Sequence, residues 1–379
     1  MSIASALGLT VDKVRYAVVG AGDISQASLM PGIAHTGNSV LAAIVTDDPV
    51  KAEALAKSYG LDQVTNYAGY ADLLASGKID AVYIATPNWR HAEFAVPALA
   101  AGIHVLCEKP LEISVDRAHE IEDAANRSAA KLMVAYRLHF EPATLDAIAR
   151  IRAGELGDLI TFTSCFAQMV DPANHRAQNG LLAGPLFDMG PYPINAIRYL
   201  FGAEPVAVES AVGTRQPGND LGDLDDTVAV VLRMPGDRLA SFTVSYYANR
   251  TDSFTIAGTK GSIHMSPAYG FGQGLAQTRT IGEDQSHETF KATDQFGGEL
   301  RYFSDCILND RDPEPDAEEG IADLRVVEGI VEALKTGRRV DLPPFTRTRR
   351  IDPDAQVQTL SAVKTPETVH ASNPARGKD

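Results

Sequence analysis

Cysteine is scarce in this chain and tryptophan nearly absent, with three cysteines and one tryptophan in 379 residues. Cys107, Cys165 and Cys306 are odd in number and far apart, which argues against a disulfide framework and a cysteine-built metal site. They suit unpaired thiols in a reducing compartment, so a cytoplasmic location and no metal are expected. Long apolar runs are missing too. Nothing approaches the roughly eighteen consecutive apolar residues of a membrane span. Met1 to Asp12 also lacks the basic start and apolar stretch of a signal peptide. Basic residues are outnumbered by acidic ones, 34 to 49, for a net charge of −15. A surface of that sign is repelled by nucleic acid and by anionic membranes, and the short cluster Arg347, Arg349, Arg350 does not reverse it.

What remains is the balance of a globular chain, of a length that suits two domains. The sequence divides into a dinucleotide-binding segment at 13–137, a substrate and oligomerisation segment at 138–342 and a polar tail at 343–379. The first segment declares itself early. The apolar run Val14 to Val19 ends in Gly20-Ala21-Gly22-Asp23-Ile24-Ser25, a strand, glycine turn and helix start. Gly20 permits the tight turn, Gly22 lets a pyrophosphate approach the backbone, and Ser25 is small enough for close helix–strand packing. A helix beginning there offers unpaired N–H groups to the phosphates. On its own such a fingerprint is equally a plain tight turn.

A second strand, Val40 to Val45, follows one helix later and ends at Thr46 rather than at an acid. Asp47 and Asp48 come late, and Lys51 opens the next helix. A hydroxyl and an ammonium suit the 2′-phosphate of NADP better than the bare ribose diol of NAD. The plainer alternative is a strand end followed by a solvated charge. Strand and helix then alternate to residue 135, which implies a parallel sheet covered on both faces. Ligands of such sheets lie beyond the carboxyl ends of the strands. That rule places Asn88, Glu108, Lys109 and Pro110 in the cofactor crevice.

The runs Asp80-Ala-Val-Tyr-Ile-Ala-Thr86-Pro-Asn88, His91-Ala-Glu-Phe94 and Ala101-Gly-Ile-His-Val-Leu-Cys-Glu108-Lys109-Pro110 resemble the glucose–fructose oxidoreductase/inositol dehydrogenase superfamily. Tyr136-Arg137-Leu-His139 and Pro185-Leu-Phe-Asp188-Met-Gly-Pro-Tyr192-Pro-Ile-Asn195 point to its glucose–fructose oxidoreductase branch. The likeness runs from about Val14 to about Leu342. It implies a Rossmann domain joined to an α+β domain with an open, mainly antiparallel sheet. It also implies cofactor contacts at Gly20, Gly22, Asp23, Ile24, Thr46, Lys51, Thr86, Asn88, His91, Glu108, Lys109 and Arg137. For His91 a packing role is the alternative, and for Arg137, with Tyr136 and His139, a place in the sugar pocket.

In the family the lysine of the Glu-Lys-Pro signature lies beside the nicotinamide, a role that falls here on Lys109. Its implied partners in catalysis and substrate binding are Tyr192 and Asp188. If Gly190 onward is helical, Asp188, Tyr192 and Asn195 share one face. An ammonium near a phenol favours its ionised form, so Lys109 would poise Tyr192 to take a proton from a sugar hydroxyl. Asp188 as a simple helix cap is the competing reading.

From about residue 159 strands follow one another, at 159–168, 204–214, 226–234, 238–248 and 253–258, with helices near 296–309 and 318–336. An open sheet leaves one face to cover, and a homodimer or homotetramer is expected. The tail resembles an arm or a disordered end. The function expected is an NADP-dependent oxidoreductase, NAD being the lesser choice, that oxidises an aldose at C1 to a lactone. One alternative is the family's namesake reaction with tightly held NADP; another is a non-catalytic sugar or cofactor sensor. Met1 to Lys13 has no proline-rich arm, which favours an exchangeable cofactor, unless the tail clamps the site.

Overall fold

The computed structural model describes residues 13–178, 183–347, 349–371 and 373–376. The expectations about the first dozen residues lie outside this set.

Six strands form the first sheet: β1 (Val14–Val19), β2 (Ser39–Val45), β3 (Val64–Thr65), β4 (Ala81–Ile84), β5 (His104–Glu108) and β6 (Leu132–Ala135). Their order is β3-β2-β1-β4-β5-β6, with every pairing parallel. This is the doubly wound order whose direction reverses between β1 and β4, where a crevice opens. β1 and β4 are buried along nearly their whole length, which is why they read as continuous apolar runs rather than alternating ones. Local signals set the helices. Asp48 caps Pro49–Tyr59, Gly60 ends it at a φ of 64°, and Ser114 caps Val115–Asn126. A regular helix start is expected after Gly22. Instead the chain makes a π-helical turn, Ser25–Leu29, before the α-helical Met30–Ile33. Such turns recur beside functional sites.

The second sheet has nine strands: β7 (Leu159–Met169), β8 (Ala207–Thr214), β9 (Thr227–Met234), β10 (Arg238–Ser245), β11 (Tyr247–Gly258), β12 (Gly261–Met265), β13 (Ala276–Ile281), β14 (Asp284–Thr289) and β15 (Val340–Asp341). Their order is β14-β13-β12-β11-β7-β10-β9-β8-β15. It is antiparallel except at its centre, where β10 runs parallel to β7. The pair is parallel because the chain leaves β7 by a long helical excursion and returns through the β8–β9 hairpin. Phe162, Leu232, Val244 and Ile256 turn inward on one contiguous core with Ile194, Ile197, Val326 and Ile330 of the helices Pro191–Phe201 and Ala317–Thr336. Full burial of each such side chain contributes about 1.5–3 kcal/mol. The other face carries Ile160, Val212 and Leu239 at 48%, 59% and 43% exposure.

The first sheet ends with β6 at Ala135 and the second begins with β7 at Leu159, but the packing does not divide there. Helix Gln295–Leu308 comes back to the first sheet. Its Phe296, Leu300, Phe303 and Cys306 pack against Tyr16, Val18, Tyr83 and Leu106, and Ser304 Oγ lies 2.8 Å from the Tyr16 hydroxyl. The tail is an arm laid on the protein. Leu360 O accepts from Asp294 N at 2.8 Å, Ser361 bridges Thr293, and Ala375 bridges Val170. Among the described residues no helix is long and apolar enough to cross a membrane.

Candidate active site

A cleft of about 830 Å³ opens beyond the carboxyl ends of β1, β4 and β5 and is closed on its far side by residues of the second sheet and its helices. That size is ample for a ligand. Gly20 has a φ of +87°, and a Cβ there would stand 2.7 Å from Ala85 O, so only glycine lets the β1 turn lie this close to β4. Ser25 Oγ donates to Gly20 O at 2.7 Å and holds the turn. A Cβ on Gly22 would meet nothing within 4 Å. Its bare backbone faces the cleft, which is the cradle a pyrophosphate requires. The residues present therefore fit a dinucleotide.

Asp23, Ile24, Thr46, Lys51, Thr86, Asn88, Glu108 and Arg137 all line this cleft. His91 does not. It is fully buried, with one ring nitrogen 3.1 Å from Thr86 O and the other 3.0 Å from Pro110 O. It ties the β4 loop to the Glu-Lys-Pro loop from behind, and burial pushes its imidazole down from the ordinary value. The expected cofactor contact at His91 is thus corrected to a packing role. Glu108 also looks inward, taking the Tyr83 hydroxyl at 2.6 Å. At the end of β2, Asp47 accepts from Tyr67 N at 2.8 Å and Asp48 from Lys51 N at 3.0 Å. Both late acids are engaged by backbone N–H groups.

Lys109 reaches across the cleft. Its Nζ donates to Asp188 O at 2.9 Å, stands 3.7 Å from Asp188 Oδ1, and lies 4.5 Å from the centre of the Tyr192 ring. The group on the Tyr192 hydroxyl is not Lys109 but Arg137, whose Nη2 donates to it at 3.0 Å. Arg137 is almost fully buried; the same Nη2 donates to Tyr269 O at 2.6 Å, and Nη1 donates to the Gln295 side chain. Phe166 and Tyr269 hold the Tyr192 ring at centroid distances of 5.3 and 5.8 Å.

Asp188 is not the cap of the helix that carries Tyr192. It ends a separate short helix, Pro185–Asp188, and Gly190 caps Pro191–Phe201. A Cβ on Gly190 would stand 2.2 Å from Leu186 O, so the break between the helices needs that glycine. The Asp188 carboxylate accepts from the Tyr246 hydroxyl at 2.8 Å and lies 3.4 Å from Arg176 Nε. Burial alone would raise its pKa; the Arg176 and Lys109 cations and the Tyr246 hydroxyl outweigh that and hold it below the usual carboxylate range. Asn195, expected on the same face, has its amide taken by His139 at 2.7 Å and Glu319 at 2.8 Å. Tyr246 was not foreseen as a site residue, nor was the contact of Arg176 with Asp188. Neither sits in a recognisable motif, and only the folded chain brings them to Asp188.

A glycine-turn cleft at the reversal point of a parallel sheet, facing a lysine, a tyrosine and an aspartate, defines a dinucleotide-dependent oxidoreductase. Residues 14–136 match the oxidoreductase family with an NAD-binding Rossmann fold, GFO/IDH/MocA, and residues 144–264 match the GFO/IDH/MocA C-terminal domain. The chain belongs to this family, and it is an NAD(P)-dependent oxidoreductase of the sugar-dehydrogenase kind. It is 32% identical over 342 residues to the D-xylose 1-dehydrogenase [NADP(+)] of Haloarcula marismortui, covering 88% of this chain and 94% of that one. The inositol 2-dehydrogenase of Rhizobium meliloti is 26% identical over 87% of this chain and 99% of its own. Among solved structures, the aldose-aldose oxidoreductase from Caulobacter crescentus, complexed with glycerol, superposes with a TM-score of 0.82 at 32% identity, over 87% of this chain and 100% of that one.

Proposed function

We propose that the enzyme oxidises a cyclic aldose at C1 to the lactone, with NADP as hydride acceptor. The observation that carries this is the surround of the Tyr192 oxygen, with Arg137 Nη2 at 3.0 Å and the Lys109–Asp188 pair against the ring. Arg137 fixes the phenol oxygen and Lys109 lies against the ring, so the Tyr192 oxygen is held in place as the proton acceptor. Tyr192 takes the C1 hydroxyl proton while the C1 hydrogen leaves with its electron pair. The bound dinucleotide supplies the carbon that receives that hydride. Lys109, fixed by Asp188, also donates toward the sugar oxygen and stabilises negative charge as it develops there. Asp188 keeps Lys109 in place, and Tyr246 and Arg176 keep Asp188 in place. Thr46 and Lys51 favour NADP over NAD, in keeping with the cofactor named for the xylose dehydrogenase relative. Incubation with NADP and a panel of aldoses tests the reading by the absorbance of reduced nicotinamide. Turnover of cyclitols but of no aldose would overturn it.

A second reading is hydride exchange between two sugars on retained NADP. The arm across the cleft mouth and the likeness to an aldose-aldose oxidoreductase favour it. Nucleotide content near one per chain after extensive dialysis, with sugar-to-sugar transfer in the absence of added cofactor, distinguishes it from the dehydrogenase.

A further inference from the structure

The C-terminal arm touches both walls of the cleft. On the first-sheet side the Gln26 side-chain amide reads the backbone of Val369 like a paired strand. Val369 N donates to Gln26 Oε1 at 2.8 Å, and Gln26 Nε2 donates to Val369 O at 3.0 Å. Gln26 is buried in the first turn after the glycine loop. One residue on, His370 Nδ1 lies 2.9 Å from Asp48 Oδ2. On the far wall Pro374 O accepts from Asp171 N at 2.9 Å, Arg376 N donates to Met169 O at 2.9 Å, and the Arg376 guanidinium pairs with Asp220 at 2.5 Å. Between these anchors His370, Ala371 and Asn373 line the same cleft as Gly22 and Lys51.

His370 has a φ of +47°, in the left-handed region that disfavours a side chain. Strain of this kind persists where surrounding contacts impose it and tends to gather at functional positions. Here it turns the ring onto Asp48, beside Thr46 and Lys51. Asp48 is an acid close to Thr46 and Lys51, and left bare it would repel an anion there. The Lys51 backbone N–H, then the His370 ring, hold its carboxyl below the ordinary value. His370 stands on Asp48 and lines the cleft, so it offers an N–H donor where the Asp48 carboxylate would otherwise be the nearest polar group.

We propose that residues 359–371 and 373–376 form a strap over the bound dinucleotide and that His370 is a ligand of the NADP 2′-phosphate. The proposal rests on the NADP reading given above. A dinucleotide enters or leaves only when the contacts of Val369, Pro374 and Arg376 open. Opening these four hydrogen bonds, even at about 0.5 kcal/mol net each, slows release by at least about tenfold. His370, which meets the group that NAD lacks, gives the strap its selectivity.

The test is the release rate of NADPH from the full chain, followed by its fluorescence after mixing with excess NADP. A chain stopped after Ser361 should release NADPH at least about tenfold faster. His370→Ala should speed release of NADPH and leave that of NADH unchanged. Val170→Cys with Ala375→Cys keeps the strap on the protein, and its oxidised form should release NADPH more slowly than its reduced form. Equal rates for the full and shortened chains, or for the oxidised and reduced double variant, overturn the strap. Equal changes for NADPH and NADH in His370→Ala overturn the phosphate assignment. A full chain that binds neither dinucleotide would instead sink the cofactor reading itself, and the strap with it.

Discussion

Tyr192→Phe removes one oxygen and little else, which makes it the sharpest probe of the proposed chemistry. The ring stays packed against Phe166 and Tyr269. Arg137 Nη2 keeps Tyr269 O at 2.6 Å on one N–H, and the other, which loses the hydroxyl at 3.0 Å, is left facing the cleft. The stability change is then that of one net hydrogen bond, about 1 kcal/mol, which lowers Tm by no more than about 3 °C in a chain of this size. Loss of a positioned proton acceptor, by contrast, slows turnover by about 10²–10⁴-fold, equivalent to about 3–5 kcal/mol of barrier. The two effects differ enough to be separated in one preparation. Turnover is measured with NADP and the best aldose found, Tm by calorimetry, and NADPH affinity by fluorescence. Turnover within about threefold of the parent would refute the assignment of Tyr192. So would a drop in turnover matched by an equal loss of NADPH affinity, since the tyrosine would then serve binding and not proton transfer.

Lys109→Ala should lower turnover at least about a hundredfold; near-normal rates would leave Arg137 as the cation that matters. Lys51→Glu places a negative charge where a 2′-phosphate is proposed and should weaken NADP far more than NAD, whereas equal losses would make Lys51 a solvated surface charge. Burial lifts the Glu141 carboxyl from about 4.5 to about 7. The folded value lies above the unfolded one, so this stability is complete below pH ~4.5 and is lost as the pH rises through about 7. Glu141→Gln keeps an oxygen to cap Thr144 N and should gain on the order of 3 kcal/mol over the parent at pH 8 but not at pH 4. Urea unfolding at both pH values decides, and an unchanged pH slope contradicts the reasoning. The outer face of the second sheet, with Ile160, Val212 and Leu239 exposed, should bring two or four copies together; a clean monomer by light scattering at micromolar concentration would exclude that.

The first sheet was readable because its strands are buried on both faces and end in short motifs. Gly20, Gly22 and the Glu108-Lys109-Pro110 turn sit where the chain pattern alone predicts a crevice. The β13–β14 hairpin was not readable. Its residues, such as Gln277, Thr278 and Arg279 against Ser286, His287 and Glu288, are mostly polar, because β14 is an edge strand with little apolar surface to bury. The place of Arg137 on the Tyr192 hydroxyl was also hidden. The two residues are far apart in sequence, and only the packing of the helix Pro191–Phe201 on the second sheet decides which cation reaches the oxygen. Of the two readings of the tail, arm or disordered end, the sequence could not choose, for a related reason. Polar composition predicts a solvated end, but backbone groups of Val369, Pro374 and Arg376 pair whatever their side chains are.

Helix Gln295–Leu308 has a consequence for how the protein is made. β1 to β6 are all synthesised long before residue 308, so the face that holds Tyr16, Val18, Tyr83 and Leu106, covered early only by residues such as Leu29, Met30 and Leu55, waits for the helix Gln295–Leu308. At ordinary elongation rates that interval is roughly 10–30 s. During it the parallel sheet presents part of an apolar side to solvent or to a chaperone, and the nucleotide cleft has one wall. A gene fragment ending at residue 137 would freeze the protein at this stage. It would encode every glycine and lysine of the dinucleotide motif and still yield an aggregating chain, because the lid on its core is written much later in the message.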